Sequence, residues 1–332
     1  MRNRDYCRHC WPGWHTVRGL LKSAIILAVA AMMVISMPAW SNSNPTGQGK
    51  AEAPQKEASN GNPVASTKGV SKTASHSVGA SMGSRQRKAS DSLLPKPVPF
   101  VVASEDGFLI HSTVYYPGGK TKRLPIVMLL HDLNGTQKDW QPWIPALIDK
   151  GYAVITMDLR GHGLSAARGK NPKKKPKRFT SWRLMSSKEW QEAPSDVIEV
   201  LRYTAAHPEQ YPRLNSKKIA IIGGSVGANV AMLAGQRYQH RILGLGLLSA
   251  RLNYKGLEIS VGAVYYPGSV FIAASQSDPQ TFESAKRLFQ LSQGQKSIRL
   301  FKDAGQGTEL LTGYPPLLDD LTNWLDKVFR KQ

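Results

Sequence analysis

The sequence is short of cysteine, of acidic residues and of long apolar runs. Only two of its 332 residues are cysteines, Cys7 and Cys10, with His9 between them. Three potential ligands are too few for a structural zinc site, and no disulfide framework can hold the rest of the chain together. We therefore expect neither a metal nor a cofactor, and a chain of this length must rely on its own hydrophobic core.

No apolar run reaches the roughly 20 residues that a membrane-spanning helix needs. The longest covers fourteen residues, 24–37, and follows a basic stretch that ends at Lys22. Small residues around Ser41 then resemble a cleavage site, so residues 1–41 are predicted to be a secretory signal peptide and the protein to be exported, to a periplasmic or extracellular location. Extending the run to Trp40 gives seventeen residues, and an uncleaved membrane anchor through 24–40 remains the alternative.

Acidic residues number 23 against 44 lysines and arginines, which gives a net charge of +21. Part of this excess lies in residues 42–96, which are rich in Ser, Ala, Gly, Lys, Asn and Pro and have almost no large apolar side chains. Such a segment cannot bury enough apolar surface to offset its ordering entropy. It is predicted to be a disordered linker, either a basic tether or an inert spacer.

Residues 97–332 have the pattern of one α/β domain, in which short apolar runs alternate with amphipathic segments. After an opening hairpin, this alternation predicts a mostly parallel sheet covered by helices on both faces. The predicted strands cover 100–104, 108–116, 126–130, 152–157, 219–222, 242–248, 270–274 and 297–301. The predicted helices cover 140–150, 189–207, 228–238, 279–291 and 317–329.

The most informative stretch is residues 219–229, Ile-Ala-Ile-Ile-Gly-Gly-Ser-Val-Gly-Ala-Asn. A buried strand runs into a glycine-flanked turn with Ser225 at its apex, and a helix follows. G-x-S-x-G between a strand and a helix is the pattern of a nucleophile elbow, in which the glycines permit a sharp turn and the serine is exposed.

Four local sequences together resemble the α/β-hydrolase superfamily. These are Leu-Leu-His-Asp-Leu-Asn-Gly-Thr at 129–136, Asp-Leu-Arg-Gly-His-Gly-Leu-Ser at 158–165, the elbow at 223–227, and Ala-Ser-Gln-Ser-Asp-Pro at 274–279. They occur in the family's own order, and the resemblance is strongest to serine esterases and lipases with a serine-peptidase-like elbow. It implies an ester or acyl ligand, Ser225 as nucleophile, Asp278 as triad acid, and the N–H groups of Val226 and Leu133 as oxyanion hole.

The chain departs from this family where the triad histidine is expected. No histidine follows His240, and Gln306 occupies the corresponding place in Ala-Gly-Gln-Gly at 304–307. Glutamine does not titrate, so it cannot accept the serine proton. The sequence therefore predicts a catalytically impaired hydrolase, a pseudoenzyme. The alternative is an active carboxylic-ester hydrolase with a non-standard base, for which His131 and His162 are the candidates.

A second departure is Asp132, which stands where the family usually has glycine. Its carboxylate either opposes an oxyanion or points to solvent, and the sequence does not decide between the two.

A basic insertion at 168–183 carries eight positive charges and no acid. It is either an anion-binding lip, with Phe179 and Trp182 anchoring it, or a solvated charge run. As a lip it would bind an anionic membrane surface or an acidic glycan, which makes the protein a surface-binding module in a third hypothesis. Nucleic acid is not an expected partner of an exported chain. The candidate anion-binding residues are Lys170, Lys173, Lys174, Lys175, Lys177 and Arg178.

Overall fold

The structure is a computed structural model that describes residues 96–119, 123–176 and 178–330. The predicted signal segment, the predicted linker apart from its last residue, and Lys177 lie outside the described residues.

The strands follow the apolar runs of the sequence. They are β1 (Val98–Ala103), β2 (Leu109–Tyr115), β3 (Leu124–Leu130), β4 (Ala153–Met157), β5 (Ala167–Arg168), β6 (Arg178–Phe179), β7 (Leu214–Gly224), β8 (Ile242–Leu248), β9 (Asn253–Tyr254), β10 (Leu257–Glu258), β11 (Ser269–Ser275) and β12 (Lys296–Phe301). The helices are α1 (Ile144–Asp149), α2 (Ser187–Gln191), α3 (Ala193–Ala206), α4 (Val226–Arg237), α5 (Ser260–Tyr265), α6 (Pro279–Leu291), α7 (Leu310–Gly313) and α8 (Pro316–Arg330).

Eight of these strands form one sheet in the order β1-β2-β4-β3-β7-β8-β11-β12. The pairs β1–β2 and β2–β4 are antiparallel, and all later pairs are parallel. Parallel neighbours need a crossover between them, which the helices supply. The predicted mostly parallel sheet with helices is confirmed. Two short pairs, β5–β6 and β9–β10, lie outside it.

Two buried layers cover the two faces of the sheet. In β3, Ile126, Met128 and Leu130 belong to one layer, and Val127 and Leu129 belong to the other. This division follows the two-residue period of a strand, and both sets are apolar because both faces are covered. The carboxyl ends of the parallel strands consequently meet at one edge, where their connecting loops are brought together.

Two predicted helices differ from the observed ones at proline residues. The helix predicted over 140–150 begins only at Ile144, because residues 137–140 form a 3-10 turn and Pro145 fits the first turn of a helix. The helix predicted over 189–207 is divided at Glu192 into α2 and α3, and Pro194 lies in the first turn of α3.

Among the described residues, none of the helices is both long and apolar enough to cross a bilayer. The same residues contain no group of three or more histidine, cysteine, aspartate or glutamate side chains placed to hold a metal ion.

Candidate functional site

Ser225 joins the end of β7 to the start of α4 at φ 49° and ψ −118°, a backbone conformation that non-glycine residues rarely adopt. The flanking glycines make this turn possible. A Cβ on Gly223 would lie 2.2 Å from the Gly227 carbonyl oxygen, and one on Gly227 would lie 2.6 Å from the His131 carbonyl oxygen. Ser225 is half-buried, and its N–H donates to the Leu248 carbonyl at 2.8 Å.

The two residues predicted to form the oxyanion hole lie on either side of this turn. Val226 is the first residue of α4, and the N–H groups of a helix's first turn have no acceptor within the helix. Leu133 follows β3 and lines the same cavity as Ser225. Val226 and Leu133 therefore both lie at the sheet edge where β7 and β3 end.

His131 is fully buried directly after β3. Its Nε2 accepts from the Leu159 N–H at 2.9 Å, so its Nδ1 carries the proton and donates to the Asp132 carbonyl at 2.7 Å. Burial, together with neighbouring His162, lowers the pKa of His131 to about 3. A ring that is neutral, with both nitrogens bonded to the backbone, cannot take a proton from Ser225.

His162 is also buried, and both of its ring nitrogens face backbone carbonyls. Nε2 lies 2.7 Å from the Leu133 oxygen and Nδ1 lies 3.0 Å from the Arg160 oxygen. Burial lowers its pKa as well. Trp182 stacks on its ring, with centroids 5.5 Å apart and planes 4° apart. The geometry of His162 is that of a support for the Leu133 loop.

Asp132 turns inward instead of pointing to solvent. Its Oδ2 accepts from the Thr308 N–H at 3.0 Å and from the Thr308 hydroxyl at 2.6 Å. Its Oδ1 is buried and has no hydrogen-bond partner. This oxygen packs closely against two glycines: a Cβ on Gly224 would lie 2.0 Å from it, and a Cβ on Gly307 would lie 2.1 Å from it. Burial raises the pKa of Asp132, although the bonds from Thr308 lower it in part. This carboxyl links the elbow to the turn that follows Gln306.

A cavity of about 290 Å³ opens in front of Ser225. Gln306 lies on its rim, exposed, and its backbone N–H donates to the Glu309 carboxylate at 3.2 Å. The lining is mostly polar and consists of Asp132, Leu133, Asn134, Gly135, Asp139, Ser225, Arg251, Tyr254, Gln306, Thr308 and Glu309. The structure therefore brings Ser225, Leu133 and Gln306 together at one site, and Val226 adjoins Ser225.

Asp278 does not line this cavity. It lies after β11 and caps α6, and its Oδ1 accepts from the Thr281 N–H at 3.3 Å. Its Oδ2 lies 3.4 Å from the Arg251 guanidinium. Arg251 does line the cavity, so the predicted triad acid faces a cation of the serine site.

Comparisons with known proteins agree with this architecture. Residues 121–274 match the family described as serine aminopeptidase, S33. Epoxide hydrolase B of Mycobacterium tuberculosis is 26% identical over 154 residues, which cover 46% of this chain and 35% of that protein. This chain therefore aligns with only about a third of the length of that curated relative.

Solved structures give the same result for the fold. An acetyl xylan esterase from Paenibacillus sp. R4 matches with a TM-score of 0.52 at 16% identity, covering 73% of this chain and 92% of that one. An esterase of Pyrococcus furiosus matches with a TM-score of 0.52 at 13% identity, covering 71% and 90%. This chain has the α/β-hydrolase fold. The family that residues 121–274 match is one of serine hydrolases, and the chain shares its fold with esterases.

Sequence reasoning missed Arg251 as a residue of this site. The residue follows β8, and Asn229 of the elbow helix holds its backbone: the Arg251 N–H donates to Asn229 Oδ1 at 3.1 Å, and Asn229 Nδ2 donates to the Arg251 carbonyl at 2.7 Å. Its guanidinium lies 4.5 Å from the centre of the Tyr254 ring. The sequence did contain a signal for this role. Arg251 is a basic residue three positions after the buried strand β8, at the sheet edge where the other loops of the site lie.

The basic insertion is built on the β5–β6 pair, in which Ala167 pairs with Phe179 and Arg168 with Arg178. Arg168 forms an ion pair with Glu189 and lies over the Phe108 ring at 3.8 Å. The described lysines of the insertion are exposed, namely Lys170, Lys173, Lys174 and Lys175.

The prediction that Phe179 anchors the insertion is wrong, because 70% of its surface is exposed. It lies on β6, both residues of which are exposed. Trp182 is half-buried and stacks on His162, so the anchoring contact comes from the tryptophan alone.

Proposed function

We propose that this α/β-hydrolase binds a small ester or acyl ligand in the Ser225 cavity and is impaired in acyl transfer. The observation that carries the proposal is Gln306, which shares the cavity with Ser225 at the place where the resemblance puts the catalytic histidine. A serine hydroxyl needs a base to remove its proton during attack, and an amide cannot serve. Without a triad member, the oxyanion hole and binding retain an acceleration of only about 10³–10⁴-fold.

The surroundings of Ser225 support the same proposal. His131 and His162 have their ring nitrogens engaged with backbone groups, and burial lowers both pKa values. Asp278 faces Arg251, which balances its charge in place of an imidazolium. Among the described residues, no histidine lies free at the cavity, so general-base catalysis by imidazole has no candidate there.

A second candidate function is an active carboxylic-ester hydrolase with a non-standard base. Two observations favour it: the strained backbone of Ser225 is retained, and Asp132 is a cavity carboxyl whose pKa is raised by burial. A carboxyl with a raised pKa is a better base than an ordinary one. In this alternative Asp132 would take the Ser225 proton.

Hydrolysis of p-nitrophenyl acetate separates the two functions, with acetyl esters chosen because one structural neighbour is an acetyl xylan esterase. The wild type is compared with Gln306→His, each with and without Ser225→Ala. An impaired hydrolase gives a wild-type rate that Ser225→Ala leaves unchanged, whereas Gln306→His raises the rate by about 10-fold or more in a Ser225-dependent way. A wild-type rate that falls with both Ser225→Ala and Asp132→Asn would establish the second function instead.

We further propose that the protein is exported, with membrane attachment through residues 24–40 as the alternative. The support is the sequence of residues 1–41. The intact mass and N-terminal sequence of protein isolated from the producing cells test this: a chain that begins at Asn42 indicates a cleaved signal. A chain that retains residues 24–40 and fractionates with membranes supports the anchor, and full-length protein in the cytoplasm contradicts both.

A further inference from the structure

A surface beside the β5–β6 pair combines exposed cations with exposed large apolar side chains. The apolar members are Leu164, Phe179 and Leu184, of which 63%, 70% and 80% of the surface is exposed. We call these three residues, together with Lys170, Lys173, Lys174, Lys175 and Arg178, the basic-apolar surface. Exposed leucine and phenylalanine are ordinary when isolated, whereas several on adjacent segments mark an interaction site.

Hydrogen bonds hold the two segments that carry the apolar residues side by side. The Thr180 N–H donates to the Ala166 carbonyl at 2.8 Å, and the Trp182 N–H donates to the Gly161 carbonyl at 3.0 Å. Leu164 therefore lies on a turn next to the segment that carries Phe179 and Leu184. The three side chains project from neighbouring backbone and not from unrelated parts of the domain.

Two acids near this surface pair with arginines at its base, and a third, Glu105, lines a cavity together with Lys170, Lys174 and Lys175. Glu189 pairs with Arg168, and Asp106 pairs with Arg160 at 2.9 Å. In the described part of the chain, no acid forms an ion pair with any of the four lysines of the surface. The four lysines are exposed, and their positive charge exceeds the negative charge of the two acids beside them, which fits an anionic partner.

We propose that the basic-apolar surface docks on a lipid bilayer that contains anionic phospholipid. The lysines would contact lipid phosphates, and Leu164, Phe179 and Leu184 would enter the interface between headgroups and acyl chains. Charge alone would also suit an acidic polysaccharide. Exposed leucines gain nothing from such a polar polymer, whereas burying apolar side chains in a bilayer interface is favourable, so the pairing of both features favours the lipid.

The surface is held on the folded domain by Trp182. Its ring stacks on buried His162, and the Arg183 guanidinium lies 4.5 Å from its centre. His162 in turn contacts the Leu133 carbonyl at 2.7 Å, on the loop that borders the Ser225 cavity. Docking at this surface would bring the cavity close to the membrane, although the proposal does not depend on whether Ser225 is catalytic.

Co-sedimentation of the full chain with vesicles tests the proposal, using 70% phosphatidylcholine with 30% phosphatidylglycerol and, separately, phosphatidylcholine alone. One variant changes Lys170, Lys173, Lys174 and Lys175 to Gln. Its matched control changes four exposed lysines elsewhere, Lys150, Lys217, Lys302 and Lys327, and so removes the same charge. Because each cation near an anionic bilayer contributes appreciably, the first variant should bind the anionic vesicles at least about 10-fold more weakly than its control.

A second pair of variants tests the apolar contact. Leu164→Ala, Phe179→Ala and Leu184→Ala are combined and compared with Val261→Ala and Tyr265→Ala, which alter exposed apolar residues on α5. The triple variant should lose about 10-fold in affinity for the anionic vesicles even at 0.5 M NaCl, where electrostatic attraction is screened.

Two results would overturn the proposal. The first is equal vesicle binding by the lysine variant and its charge-matched control. The second is tight binding to soluble polygalacturonate that depends on the four lysines, together with vesicle binding that the triple apolar variant leaves unchanged, which would identify the partner as an acidic polysaccharide.

Discussion

Glu199 offers a direct test of how burial acts on an acidic residue of this domain. It lies on α3 beside a second cavity of about 420 Å³, which also borders Asp106, Arg160 and Asp196. Its Oε2 is buried without a partner. Burial, and then the negative charges of Asp196, Glu105 and Asp106, raise the pKa of Glu199 from 4.5 to about 7, against the opposing effect of Arg160.

The sign of the effect follows from proton linkage. The folded protein holds this proton more tightly than the unfolded chain does, so the free energy of unfolding falls as the pH rises from about 4.5 to about 7. In a fully dry site this loss would be roughly 3 kcal/mol, at about 1.4 kcal/mol per pH unit. Glu199 is only partly buried and solvent screens its charge, which reduces the expected loss to about 1 kcal/mol.

Glu199→Gln removes the titrating group and should therefore stabilise the protein by about 1 kcal/mol at pH 8.5 and by almost nothing at pH 4. Urea denaturation followed by tryptophan fluorescence at both pH values measures the difference. Glu192→Gln is the matched control, since Glu192 borders the same cavity and is exposed. A Glu199→Gln effect that is the same at both pH values, or that Glu192→Gln reproduces, would refute the reasoning.

Two further predictions concern a buried ion pair beside the second cavity and a glycine of the Ser225 turn. Asp196 forms a buried, bidentate pair with Arg160 at 2.6 Å, so Asp196→Ala should lower the free energy of unfolding by about 2–3 kcal/mol in urea titrations, because it leaves buried Arg160 paired with the more exposed Asp106 and not with a buried carboxylate. Gly227→Ala forces a Cβ to within 2.6 Å of the His131 carbonyl oxygen and should destabilise the fold by more than about 2 kcal/mol, whereas Gly169→Ala, with its nearest neighbour at 3.7 Å, should cost less than about 1 kcal/mol. Equal melting temperatures for the two alanine variants would contradict the second prediction.

Much of the fold was predictable because its signals are local. Short apolar runs of strand length specify β3, β4, β8 and β11, and glycines around Ser225 specify the turn between β7 and α4. The closeness of Ser225, Leu133 and Gln306 also follows from sequence, because each comes directly after a strand that ends at the same edge of a parallel sheet.

The parts of the site that were not predictable depend on which loops meet. The loop after β8 reaches the loop after β11, and this is why Arg251 faces Asp278. No spacing in the sequence encodes that contact. The direction of the Asp132 side chain is likewise decided by Thr308, which is 176 residues away in the chain. Phe179 lies exposed on β6, a position that its apolar character alone does not indicate.

The strained turn at Ser225 is explained by packing without any appeal to catalysis. Gly223 and Gly227 have no room for a Cβ, because β7, the start of α4 and the His131 loop approach one another closely. The backbone must therefore turn sharply at Ser225, which lies between the two glycines. Backbone strain of about 1–3 kcal/mol persists only where surrounding structure enforces it, and here the buried sheet edge does so. Because the fold enforces the elbow, the elbow would survive loss of the base. The residue at position 306, and not the elbow, is therefore the better indicator of whether this hydrolase fold catalyses acyl transfer.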